Sequence, residues 1–123
     1  MLGNRNIMAF VCTTDPNRAR PFYRDTLGLN LVEEHSFALV FDANGTSLRV
    51  SISNELTPAK HTVLGWEVPD IAASIQELQS KGVEFSRYEG MNQDANGIWR
   101  APGGAQIAWF RDPDGNVLSL TQF

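Results

Sequence analysis

The stretch Phe110-Arg111-Asp112-Pro113-Asp114-Gly115-Asn116-Val117-Leu118-Ser119-Leu120 reads as two strands joined by a tight connection. Pro113 fixes φ, while Gly115 or Asn116 supplies a positive φ, so an apolar run must turn back there into an alternating one. Upstream, Phe41-Asp42-Ala43-Asn44-Gly45-Thr46-Ser47-Leu48-Arg49-Val50 follows the same order with a shorter turn.

The repeat extends further back. Asp15 opens a helix-like stretch over 17–27 that stops at Gly28, before Leu29-Asn30-Leu31-Val32. Asp70 opens another over 71–80 that stops at Gly82, before Val83-Glu84-Phe85, at nearly the same spacing. Asp15 or Thr14 as the first N-cap, Asp70 as the second, Pro16 at the first helical position and glycine past the last turn are the expected helix punctuation. Pro21 breaks the pattern. A proline inside a regular helix removes a donor and costs about 3 kcal/mol, so a kink or tight opening turn is expected there. The chain therefore reads as α+β, with two tandem units of strand, helix and three further strands, over about residues 5–55 and 61–123 of a single domain.

With 123 residues, 42% hydrophobic and 20% charged, the chain can bury roughly two thirds of its unfolded surface. A net charge of −4 with no basic run gives no footprint for nucleic acid. The single cysteine, Cys12, excludes an internal disulfide framework, and the first residues form neither a signal peptide nor a membrane span, which points to the cytoplasm.

Asp15-Pro16-Asn17-Arg18-Ala19-Arg20-Pro21-Phe22-Tyr23-Arg24-Asp25-Thr26-Leu27-Gly28-Leu29, Gly65-Trp66-Glu67-Val68-Pro69-Asp70-Ile71 and the Asp112 turn together resemble the vicinal oxygen chelate superfamily. It includes glyoxalase I, extradiol dioxygenases and bleomycin-resistance proteins. The resemblance covers nearly the whole chain. It implies paired βαβββ modules whose mixed sheets form an open cup, usually in a homodimer. It does not fix the reaction, because sites rather than folds carry chemistry.

Alternation divides each strand between the helix side and the cup. Met8, Phe10 and Cys12 oppose Ile7, Ala9 and Val11; Arg49 and Ser51 oppose Leu48, Val50 and Ile52. Val63, Gly65 and Glu67 oppose Leu64 and Trp66, and Ser119 and Thr121 oppose Leu118 and Leu120. Trp109 shares the cup side if Phe110 is core, and Gly103-Gly104 folds the Trp99 strand against it. Metal-using relatives place His or Glu at four cup positions, which here correspond to Met8, Arg49, Val63 and Ser119. Guanidinium, isopropyl, thioether and hydroxyl are poor ligands for a divalent cation, so no metal or other cofactor is expected. A displaced pair, His61 with Glu67, is the remaining metal candidate, and His35 reads as the polar end of a strand.

Arg49 requires an anion if it is partly desolvated, either Glu67 as a structural ion pair or the carboxylate, phosphate or enolate of a ligand. The connection over 89–97 is polar and long enough to act as a mobile flap. Three functions remain open: a metal-free protein that binds a small organic molecule, acidic or aromatic; a metal-dependent lyase or dioxygenase; and a metal-free enzyme in which Arg49 stabilises an oxyanion while Glu67 moves a proton. The expected cup residues are Met8, Phe10, Cys12, Arg49, Ser51, Val63, Glu67, Trp99, Trp109, Ser119 and Thr121.

Overall fold

A computed structural model describes residues 1–123, which divide into two compact units, Met1–Thr57 and Pro58–Phe123. In the first, β1 (Met8–Thr13) leads into a short helix, α1 (Pro16–Pro21), followed by β2 (Asn30–His35), β3 (Ala38–Ala43) and β4 (Thr46–Ile52). The strand order is β1-β4-β3-β2, with β1 parallel to β4 and the other neighbours antiparallel. A parallel pair needs a long crossover, here the helix and two further strands, whereas the antiparallel pairs need only tight turns. Asn44 at φ 50° and Gly45 at φ 91° close the β3–β4 hairpin in the left-handed conformation that matches strand twist.

The Asp15 carboxylate accepts the Asn17 backbone N–H at 3.0 Å and caps α1, with Pro16 in its first turn. The helix expected over 17–27 is not regular throughout. It ends at Pro21, which has no N–H to continue the ladder, and Phe22–Thr26 form a π turn in which the Leu27 N–H reaches the Phe22 carbonyl at 2.9 Å. This wider turn carries the fully buried Tyr23, whose ring lies 5.9 Å from that of Phe41. Leu39, Phe41, Leu48 and Val50 complete that core, each buried side chain contributing about 1.5–3 kcal/mol.

The second unit contains β5 (Thr62–Glu67), α2 (Ile71–Ser80), β6 (Trp99–Arg100), β7 (Gln106–Arg111) and β8 (Val117–Gln122), in the order β5-β8-β7-β6. Asp70 caps α2 by accepting the Ala73 N–H at 3.1 Å, and Gln122 Oε1 accepts the Ile71 N–H at 2.8 Å. Ile71 and Ile75 are buried on the helix, as are Ala108, Phe110, Leu118 and Leu120 on the sheet.

One expected strand is absent. Residues 83–85 make a single bridge, from Phe85 to Phe110, and the position that β2 occupies in the first sheet falls to the two-residue β6. The intervening chain instead folds on its own side chains. Gln93 donates to the carbonyls of Ser86 at 3.0 Å and Gly97 at 2.8 Å while accepting the Tyr88 N–H at 2.8 Å. Asp94 accepts the N–H groups of Asn96 and Ile98, both at 2.9 Å. The connection read as a flap is thus internally braced.

The turn between β7 and β8 is braced in the same way. Asp112 is buried, and its Oδ1 accepts the N–H groups of Asp114 and Asn116, both at 2.9 Å, while Oδ2 accepts the Asn116 side-chain amide at 2.8 Å. No helix is long and apolar enough to cross a membrane.

Candidate functional site

Each sheet turns one face to its helix and leaves the other open, and the strand registers fix what shares each open face. In the first unit, Phe10 stands beside Arg49 on β4, which stands beside Val40 on β3, which pairs with Glu33 on β2. The adjacent row runs Cys12, Ser51, Ala38, His35, and Met8 lies opposite Ser47. Met8 and Phe10 are 49% and 58% exposed, unusual for large apolar side chains in the middle of a strand. The open face therefore presents an apolar strip beside one arginine.

Arg49 makes a side-chain contact with His35 inside its unit. Its Nη2 lies 3.4 Å from His35 Nε2, and the other imidazole nitrogen, Nδ1, accepts the backbone N–H of Phe37 at 3.2 Å. Strand parity does not mark His35 as a site residue, because it says nothing about a side chain that reaches diagonally across a neighbouring strand. The available signal was Ala38, too small to block an imidazole crossing β3.

In the second unit, Gly65 pairs with Ser119 and Glu67 with Thr121 between β5 and β8. Trp109 pairs with Ser119, Ile107 with Thr121, and Trp99 with Ile107. Ser119 is only 7% exposed, and a Cβ placed on Gly65 would come within 2.7 Å of its hydroxyl oxygen, so the serine fills the space the glycine leaves. Glu67 and Val63 are exposed, Val63 within a register irregularity between Thr62 and Leu64.

Trp109 is the centre of an aromatic group. Its ring meets Tyr88 edge-on at 5.6 Å and Trp99 at 6.1 Å, and a groove of about 310 Å³ opens beside it, lined by Lys60, His61, Thr62, Tyr88, Met91, Trp109 and Val117. That volume lies at the small end of ligand pockets and suits a single ring. Of the residues expected to contact a ligand, only Trp109 lines this groove, while Trp99 packs its ring against that of Trp109. Tyr88 and Met91 come from the braced loop and have no periodic signal in the sequence. Val117 was hidden by its aliphatic character, although it shares parity with Ser119.

Taken one by one, the side chains at the four positions that the family resemblance matches to metal ligands are poor donors for a divalent cation. Arg49 is a cation without an acceptor, Val63 has no donor atom, Ser119 is buried against Gly65, and Met8 offers a thioether. No three His, Cys, Asp or Glu side chains gather in a group able to hold an ion. Exposed His61 points to the aromatic groove and joins no such group with Glu67.

Solved structures share the fold. The chain is similar to a glyoxalase family protein from Enterococcus faecalis (TM-score 0.76, 19% identity, covering 98% of this chain and 99% of that one). It is also similar to a lactoylglutathione lyase from Agrobacterium tumefaciens (0.73, 18%, 96% and 93%). A third likeness is to a member of the glyoxalase/bleomycin resistance protein/dioxygenase superfamily from Sphaerobacter thermophilus (0.71, 22%, 95% and 97%). No curated protein matches it. A family profile matches residues 7–120, nearly the whole of both units, and with the duplicated strand order it shows that the chain belongs to the Glyoxalase/Bleomycin resistance protein/Dioxygenase superfamily.

Proposed function

We propose that the protein binds a small organic molecule through the open faces of its sheets and does so without the metal centre used by metal-dependent members of its superfamily. The groove beside Trp109 carries this reading. Tyr88, Met91, Trp109 and Val117 form apolar walls for a planar group, and Lys60, His61 and Thr62 give it a polar rim. The donor chemistry at Met8, Arg49, Val63 and Ser119 argues against a metal-dependent lyase or dioxygenase. Family resemblance extends the proposal to a homodimer working in the cytoplasm.

Native mass spectrometry of the purified protein tests both parts together. The expected result is a dimer mass carrying a small organic adduct, with the adduct lost in Trp109→Ala. A monomer at micromolar concentration overturns the dimer, and an adduct retained by Trp109→Ala overturns the groove.

A further inference from the structure

We propose that Arg49 and His35 form a two-pronged oxyanion site on the open face of the first sheet, built for the carboxylate of a small organic acid. A backbone N–H can only donate, so the 3.2 Å contact from Phe37 N–H obliges His35 Nδ1 to accept. Neutral imidazole then carries its proton on Nε2. That proton faces Arg49 Nη2, itself a donor, across 3.4 Å. Two donors at this separation cannot satisfy one another, but a single oxygen accepting from both completes them.

The surroundings select the kind of anion. Beside Arg49 on the neighbouring strand lies Phe10, largely exposed, and next along β1 comes Met8. An apolar body attached to the anion would cover both. On the other side, exposed Glu33 shares the Phe10–Arg49–Val40 row, and its negative charge favours a monoanion over a phosphate dianion. His35 reaches the site across Ala38, and Ser51 in the same row adds a hydroxyl.

This inference rests on the small-molecule reading and adds a ligand class and a place for it on the first unit. The test follows the imidazole signals of His35, the guanidinium Nε–H of Arg49 and the indole N–H of Trp109 by NMR. Sodium benzoate, benzyl alcohol and inorganic phosphate are added in separate titrations, with indole as a neutral probe of the groove. Benzoate is expected to shift His35 and Arg49 saturably, and benzyl alcohol and phosphate to leave them in place. Arg49→Gln is expected to weaken benzoate at least about 10-fold, the loss of a charged hydrogen bond. His35→Asn keeps an oxygen to accept the Phe37 N–H but withdraws the Nε2 donor, and the same order of loss is expected.

Benzoate binding unchanged in both variants overturns the proposal, as does phosphate binding equal to benzoate. Dispersed amide spectra of the variants exclude unfolding as the cause of any loss. Benzoate silent at His35 and Arg49 while indole still shifts Trp109 overturns this inference alone. Benzoate saturating at His35 and Arg49 while no probe moves Trp109 supports it and overturns the groove.

Discussion

Gly65 is a glycine for want of space, whereas Gly28, at φ 77° with nothing within 4 Å of an added Cβ, is one for its backbone conformation. At Gly65 an added methyl meets the Ser119 hydroxyl at 2.7 Å and the Ser119 carbonyl at 3.3 Å. Gly65→Ala is therefore expected to destabilise the protein by about 1–3 kcal/mol in urea unfolding, as overpacking does. In a Ser119→Ala background the nearer contact is gone, and the penalty should fall. An equal penalty in both backgrounds would show that the two residues do not compete for that space. At this scale the sequence was legible only where chemistry acts locally. Asp15, Asp70 and Asp112 were recognisable as caps and turn formers because each bonds backbone within a few residues. The burial of Ser119 and the reach of His35 to Arg49 depend on the register of neighbouring strands, which no local pattern encodes.

The hairpins β3–β4 and β7–β8 were readable because turn chemistry and alternation agree on them, and Pro21 announced the break that becomes a π turn. The failure lay between α2 and β6. There the chain has neither period, and its conformation is set by side chains bonding to nearby backbone, which a search for helices or strands does not detect. Gln93 holds three of those bonds, and they keep Tyr88 and Met91 beside Trp109. Gln93→Ala leaves the Ser86 and Gly97 carbonyls and the Tyr88 N–H without this partner, so a loss of about 1–3 kcal/mol is expected. Hydrogen exchange should locate the damage, with faster exchange over 86–98 and unchanged protection in β7 and β8. Uniform acceleration across the sheet would mean that the loop is integral to the core rather than braced upon it.

Across the whole molecule the duplication was the most legible feature, and the two sheets bear it out in the equivalent orders β1-β4-β3-β2 and β5-β8-β7-β6. Duplication establishes a scaffold, but the side chains placed on it decide the chemistry. A ligand that binds only the folded state raises stability by RT ln(1 + [L]/Kd), about 2.7 kcal/mol at a hundredfold excess over Kd. A high-affinity divalent-metal centre would therefore raise the melting temperature plainly at millimolar metal. With Met8, Arg49, Val63 and Ser119 in the relevant positions, separate additions of Zn, Ni, Mn and anaerobic Fe(II) are expected to leave the melting temperature where a chelator leaves it. Elemental analysis of the purified protein should likewise find less than one ion per chain. A saturable stabilisation by one of these metals, reversed by the chelator, would contradict the metal-free reading. If Arg49→Ala and Ser119→Ala left that stabilisation intact while His61→Ala removed it, the ion would be assigned to a displaced site rather than to the usual four positions.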